Sequence, residues 1–241
     1  TVAVGAAAGG LVQGLSGFAF GLVALGIWAW VVAPTLAGPL VVFGSLIGQL
    51  LALRAARPGF DMARLAPFLI GGVVGVPIGV LLLRLIDPVG FKLVVGIILV
   101  LWCPAMLLAR DLPSVTRGGR VADGVAGWVG GIMGGLGGLN GPAPVLWCAL
   151  RGWSRDTQRA VIQTFSLATQ ALTMAMYVAT GTIHVETLRL FLIVAVAMPI
   201  PTLAGARLYQ RVSDIWFRRM ILALLTLSGA VLIGSTVPRL F

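Results

Sequence analysis

Apolar residues along this chain fall into blocks of the length a helix needs to cross a bilayer, about 20 residues, and short basic loops separate the blocks. Six blocks read as plain spans, at roughly 35–53, 65–86, 89–109, 160–179, 187–208 and 215–237. Leu93–Leu108, Ile162–Ala179 and Met220–Ile233 contain no charged residue. Two further blocks, about 1–33 and 121–153, are too long for one straight span. Gly14-Leu15-Ser16-Gly17 interrupts the first, and Gly137-Gly138-Leu139-Asn140-Gly141-Pro142 the second. Each reads as two short helices joined at a break.

A broken pair either crosses the membrane once or returns to its own side, and the two options place the arginines differently. If both pairs return, thirteen basic residues share one face and four the other. If each pair crosses once, the division is eight against nine. Cytoplasmic loops carry an excess of Lys and Arg, so the charges favour two re-entrant pairs, a cytoplasmic linker at 111–120 and both termini outside. A full-length helical hairpin gives the same parity.

The two halves resemble each other. Ser45-Leu46-x-x-Gln49-x-Leu51 recurs as Ser166-Leu167-x-x-Gln170-x-Leu172, and Gly79 with Phe91-Lys92 recurs as Gly205 with Phe217-Arg218. Gln13-Gly14 at the first break matches Asn140-Gly141 at the second. The predicted fold is an all-α polytopic membrane protein of two inverted repeats, 1–110 and 121–241, each a broken re-entrant helix pair plus three transmembrane helices. Inverted repeats with broken helices are a common transporter plan, with the solute near the midplane.

Composition agrees. The chain is 59% hydrophobic and 10% charged, with a mean hydropathy of +1.05, whereas soluble domains carry about a quarter charged residues. The net charge of +10 sits in loops and answers to the positive-inside bias rather than to nucleic acid. The chain starts at Thr1 without a methionine, which leaves room for a preceding segment, and no cleavable signal pattern is seen. Cys103 and Cys148 lie in apolar segments with neither a disulfide framework nor metal-ligand spacing, so no metal or cofactor is expected. His184, the sole histidine, falls in a short outer loop, and no carboxylate is expected in mid-span. That leaves no enzymatic constellation and no carboxylate proton relay. Trp28, Trp30, Trp128, Trp153 and Trp216 read as interfacial anchors, and Trp147 either walls a cavity or packs in the core. Gly75, Pro77, Gly79, Pro199 and Pro201 are expected to bend their spans.

With no charge expected at mid-membrane, a small anion is best held by helix N-termini, which offer free N–H groups and partial positive charge. The candidate site is therefore the backbone of Ser16, Gly17 and Phe18 and of Asn140, Gly141 and Ala143. Side chains of Gln13, Asn140, Ser45, Gln49, Gln163, Ser166 and Gln170 complete it. Spacing of four puts Ser45 with Gln49, and Ser166 with Gln170, on one helix face. Interhelical hydrogen bonding is the alternative role for the Ser/Gln pairs, and close packing for the glycines.

The segment Gln13-Gly-Leu-Ser-Gly-Phe-Ala-Phe-Gly-Leu-Val-Ala24, its counterpart Gly134-Gly-Leu-Gly-Gly-Leu-Asn-Gly-Pro-Ala-Pro-Val145 and the following Arg151-Gly-Trp-Ser-Arg-Asp156 resemble the TauE/SafE sulfite exporter family. The resemblance extends over essentially the whole chain. It implies transport of small, often sulfur-containing anions such as sulfite, sulfonates or sulfoacetate across a bacterial inner membrane. Partners are then the anionic substrate and the lipid bilayer, with no nucleic acid. An anion channel built on paired re-entrant helices, or an importer of a small carboxylate, are the alternative readings.

Overall fold

A computed structural model describes residues 1–17, 19–55, 61–108, 115 and 118–208, with isolated helical positions at 223, 226–227, 229–230, 233–234 and 236. Ten helices make up the continuous part: α1 (Val2–Ser16), α2 (Phe20–Trp28), α3 (Pro34–Ala55), α4 (Met62–Leu85), α5 (Pro88–Leu108), α6 (Gly119–Gly137), α7 (Pro142–Leu150), α8 (Arg155–Ala179), α9 (Val185–Ala197) and α10 (Pro199–Leu208). No strand occurs among the described residues. Among the described residues two stretches, Met62–Leu85 and Val185–Leu208, are long and apolar enough to cross a membrane.

The expected spans at 35–53, 65–86, 89–109 and 160–179 are α3, α4, α5 and α8. The span at 187–208 is divided at Met198 into α9 and α10. Pro199 and Pro201 follow the division, and neither has an N–H to carry the ladder across it. By contrast α4 runs unbroken through Pro67 and Pro77, so that region is no break in the helix. The span at 215–237 and most of the linker at 111–120 lie outside the described residues, apart from the isolated positions.

Both interrupted blocks fold back as hairpins. In the first, Trp28 Nε1 donates to the Val2 carbonyl at 3.3 Å, and the Phe20 ring lies against Gly9. In the second, Asn140 packs on Gly134 and Pro144 on Gly130, while Trp147 reaches back to Asp123. The start and the end of each pair therefore lie together. The returning helices α2 and α7 have nine residues each, about 14 Å at 1.5 Å per residue, roughly half of a hydrocarbon core of about 30 Å. Trp28 is a correction to the sequence reading: it is fully buried, edge-on to Phe20, and closes the first hairpin rather than anchoring an interface.

Small residues decide how the hairpins pack. Along α4, Gly71 faces Gly124, Gly75 faces Trp128 and Gly131, and Gly79 faces Ile132 and Gly135. The order rises on both helices, so α4 and α6 run parallel. On the opposite flank Gly10 faces Met198 and Thr202, Gly14 faces Thr202 and Ala206, and Gly205 faces Leu11 and Gly14, so α1 and α10 are parallel too. Helices in lipid gain little from apolar burial between them, and close backbone approach supplies the attraction instead.

Helix α8 fixes the remaining directions. Tyr177 lies beside Gly38, whereas Gln163 and Gln49 meet at Gly17 toward the other ends of α8 and α3. Helices α3 and α8 are therefore antiparallel. Arg64 lies over Trp153, Phe68 against Trp153 and Phe165, and Gly72 against Phe165 and Thr169, so α4 and α8 are parallel.

A Cβ at Gly79 or Gly205 overlaps the carbonyl of Ile132 or Leu11 respectively, with backbone that cannot swing aside. Gly79→Val and Gly205→Val are each expected to cost about 1–3 kcal/mol or more by overpacking. The readout is the melting temperature of detergent-purified protein, with Gly181→Ala, at an exposed turn where a Cβ meets no described residue within 4 Å, as the control free of overpacking. Equal melting temperatures for all three variants defeat the packing account.

Candidate functional site

Each hairpin breaks at a glycine with positive φ: Gly17 at 84° caps α1 and Gly138 at 73° caps α6. The left-handed turn costs a β-carbon dearly and glycine little. It also leaves a buried carbonyl outside the helical ladder, and a buried polar group needs a partner. A glutamine supplies the donor in both cases. Gln49 Nε2 donates to Gly17 O at 3.1 Å, and Gln170 Nε2 donates to Gly138 O at 3.2 Å, each across 32 residues.

A second amide ties each hairpin to the same neighbour. Gln13 Nε2 donates to the Ser45 carbonyl at 3.1 Å. Asn140 Nδ2 donates to the Ser166 carbonyl at 3.2 Å and to Thr169 Oγ1 at 2.8 Å, and Asn140 Oδ1 accepts from Gln170 Nε2 at 3.1 Å. Gln13 and Asn140 thus share a target but not a position. Gly17 aligns with Gly138, Ser45 with Ser166 and Gln49 with Gln170 at a constant offset of 121 residues, which pairs Gln13 with Gly134 and Asn140 with Ala19. The expected match of Gln13 with Asn140 is corrected accordingly: one amide precedes its break by a turn and the other follows it.

The two breaks adjoin. A Cβ at Gly21, in the first turn of α2, lies 3.0 Å from the Gly138 carbonyl and 3.3 Å from Leu139. At the first break, the Gly17 Cβ position lies 3.2 Å from Gln163 Nε2 and 4.0 Å from Arg159 Nε. At the second, Val41 and Val42 occupy the corresponding space beside Gly138. Helix α8 presents Gln163, Ser166, Gln170, Thr173 and Tyr177 along one buried stripe, a helical spacing of three and four. Tyr177 Oη ends it by donating to Gly135 O at 2.6 Å.

Gln13, Ser45, Gln49, Gln163, Ser166 and Gln170 are each 3% exposed or less. Gln13 Oε1, Gln49 Oε1, Gln170 Oε1, Ser45 Oγ, Ser166 Oγ and Gln163 Nε2 have no hydrogen-bond partner among the described residues. Buried polar atoms are seldom left this way, and clusters of them call for a reason.

The backbone part of the expected site is partly corrected. Ser16 and Gly17 close α1 rather than open α2, so they present the carbonyl end of a helix. Ser16 is exposed, and its Oγ donates to the Val12 carbonyl and accepts the Ala19 N–H at 3.1 Å. Phe18 lies outside the described residues. Gly141 is the N-cap of α7, with Pro142 and Pro144 on either side of half-buried Ala143. Prolines carry no N–H, so the first turn of α7 keeps Ala143 as a donor, and the first turn of α2 keeps Phe20, Gly21 and Leu22.

Sequence reasoning missed Asp123. It is buried in α6, accepts from Trp147 Nε1 at 2.6 Å and lies 3.5 Å from Arg151 Nε. Arg64 and Arg151 both lie over the Trp153 ring, at 5.3 and 5.6 Å. One acid at the start of an apolar block, facing a basic loop, was the available signal. The cluster joins the open end of the α6–α7 hairpin and stands apart from the breaks.

An all-helical bundle with apolar helices of spanning length and two broken hairpins meeting at buried polar groups is the plan of a membrane transport protein. Residues 1–232 match the family model described as Sulfite exporter TauE/SafE, and the chain belongs to that family. No curated protein and no solved structure matches it.

Losing one amide should not equal losing the other. Asn140→Ala removes three hydrogen bonds and Gln13→Ala removes one, at about 1 kcal/mol net each and more where a buried group is orphaned. Asn140→Ala is expected to lower the melting temperature at least twice as far. Equal shifts would count against the assigned network.

Proposed function

We propose that this protein exports small sulfur-containing anions such as sulfite, sulfonates or sulfoacetate by alternating access, with the anion held where the two helix breaks meet. The observation that carries the reading is the set of unpartnered buried polar atoms around those breaks. Serine hydroxyls, the Gln163 amide and the N-terminal N–H groups of α2 and α7 donate to oxyanion oxygens. Arg159, whose Nε lies 4.0 Å from the Gly17 Cβ position, adds a positive charge beside the site.

Two inverted repeats placed in a bacterial inner membrane, with both hairpins re-entrant and both termini periplasmic, complete the proposal. Several observations support it. The matched glutamine bonds recur at one offset, and Gly79 and Gly205 seat on equivalent points of α6 and α1. The hairpins return on themselves and have short second arms. A second pair that crossed once would make α8 parallel to α3 and antiparallel to α4, and a first pair that crossed once would make α1 antiparallel to α10, in each case the reverse of the directions here. An inside-negative potential favours exit of a monovalent anion by about 2.3 kcal/mol per 100 mV, so efflux requires no further coupling.

Proteoliposomes loaded with radiolabelled sulfite provide the test. Saturable release, accelerated by unlabelled sulfite on the far side, is the expected result, and Gln163→Leu should slow it about tenfold, the equivalent of 1.4 kcal/mol. Release no faster than from empty liposomes would refute export of sulfite. Release that fails to saturate would instead mark a channel.

A further inference from the structure

The orientation of the buried amides says which form of an anion the site accepts. In Gln13, Gln49 and Gln170 the Nε2 atoms face backbone carbonyls, of Ser45, Gly17 and Gly138. Only an amide nitrogen can donate there, so the hydrogen bonds themselves assign each flip. The three Oε1 atoms are consequently the ends without partners among the described residues, and each is an acceptor. Against them stand one amide donor unpartnered among the described residues, Gln163 Nε2, two serine hydroxyls able to act either way, and the Arg159 guanidinium beside Gly17.

A fully deprotonated oxyanion offers acceptors alone. It satisfies Gln163, the serines and the helix N-termini, yet sets its oxygens near carbonyl oxygens that still lack donors, and buried acceptors without donors are costly. An anion that carries its own proton answers both needs: its bare oxygens take the donors and its O–H goes to an amide oxygen. The arrangement is the one that lets a site reject a close analogue lacking a hydroxyl.

We propose that the transported species is a protonated monoanion, hydrogen sulfite rather than the sulfite dianion, with its proton given to one of the carbonyl oxygens of Gln13, Gln49 or Gln170. This rests on the proposed export of sulfur oxyanions. It specifies that one negative charge and one proton leave together, so the substrate brings its proton and no carboxylate relay is needed.

The experiment is thermal stabilisation and titration calorimetry on the purified full-length protein, in potassium buffers, with sulfite and with chlorate. Chlorate is also a pyramidal oxyanion with one negative charge, and it carries no proton. In acidic buffer, where hydrogen sulfite predominates, sulfite is expected to bind at least about tenfold more tightly than chlorate. In alkaline buffer its affinity should fall by a similar factor while that of chlorate stays unchanged. Equal affinity for the two anions in acid overturns the proposal, as does tighter sulfite binding in alkali. Recovery of alkaline sulfite binding on adding sodium also overturns it, because a cation then fills the carbonyl oxygens. If sulfite binds under neither condition, the export reading itself fails, a result distinct from a loss of preference between the anions.

Discussion

Two carbonyl groups, those of Gly17 and Gly138, set the terms for the rest of this molecule. A helix that stops inside a membrane leaves backbone groups that water cannot reach, each costing several kcal/mol if unpaired. The protein stops two helices at buried turns, each at a glycine in the left-handed region. It then needs a donor at each turn, long enough to reach from a neighbouring helix and uncharged enough to stay there. Glutamine meets both conditions, and Gln49 and Gln170 do so with the same bond at the same separation.

The polar stripe on α8 and the Ser45–Gln49 pair on α3 follow from that requirement. Once a glutamine is committed through its nitrogen, its oxygen is left over, and the serine one turn earlier lends its carbonyl to a second amide while its hydroxyl remains over as well. Structural polar groups in a bilayer thus generate surplus ones beside them. The same residues that make the breaks tolerable furnish the groups a solute can use, so holding the fold and binding the proposed anion are not competing roles.

Much of this was legible in the residues. Long apolar blocks and glycine interruptions anticipated the helices and their two glycine turns, and a repeated Ser-x-x-x-Gln motif marked the helices that support them. What escaped was geometric. Gln13 and Asn140 look equivalent because both precede a glycine, yet a six-residue difference in position relative to the breaks carries each amide to its serine carbonyl by its own route. Ser16 sits in a glycine-rich signature but belongs to the end of α1, since the turn falls at Gly17. Asp123 stands near the start of the second long block with nothing in the sequence to pair it, and packing against Trp147 makes it a buried charge. Trp28 has the right place for an interface anchor, and the hairpin turns it inward.

The kinds of contact around each hairpin differ in a way that bears on movement. Directional bonds join the α1–α2 hairpin to α3 and the α6–α7 hairpin to α8. Smooth glycine contacts join α1 to α10 and α6 to α4. Breaking the first kind orphans buried polar groups, whereas sliding along the second exchanges one small-residue contact for another. A hairpin and its hydrogen-bonded partner therefore make the natural rigid unit, and the glycine seams the natural surfaces of displacement. Proposed alternating access then amounts to one such unit shifting against the other along α4/α6 and α1/α10. The division of α9 from α10 at Met198 places a joint beside one of those seams. The unbroken α4 makes the opposite seam the stiffer of the two, so the two halves need not move alike even where their sequences match.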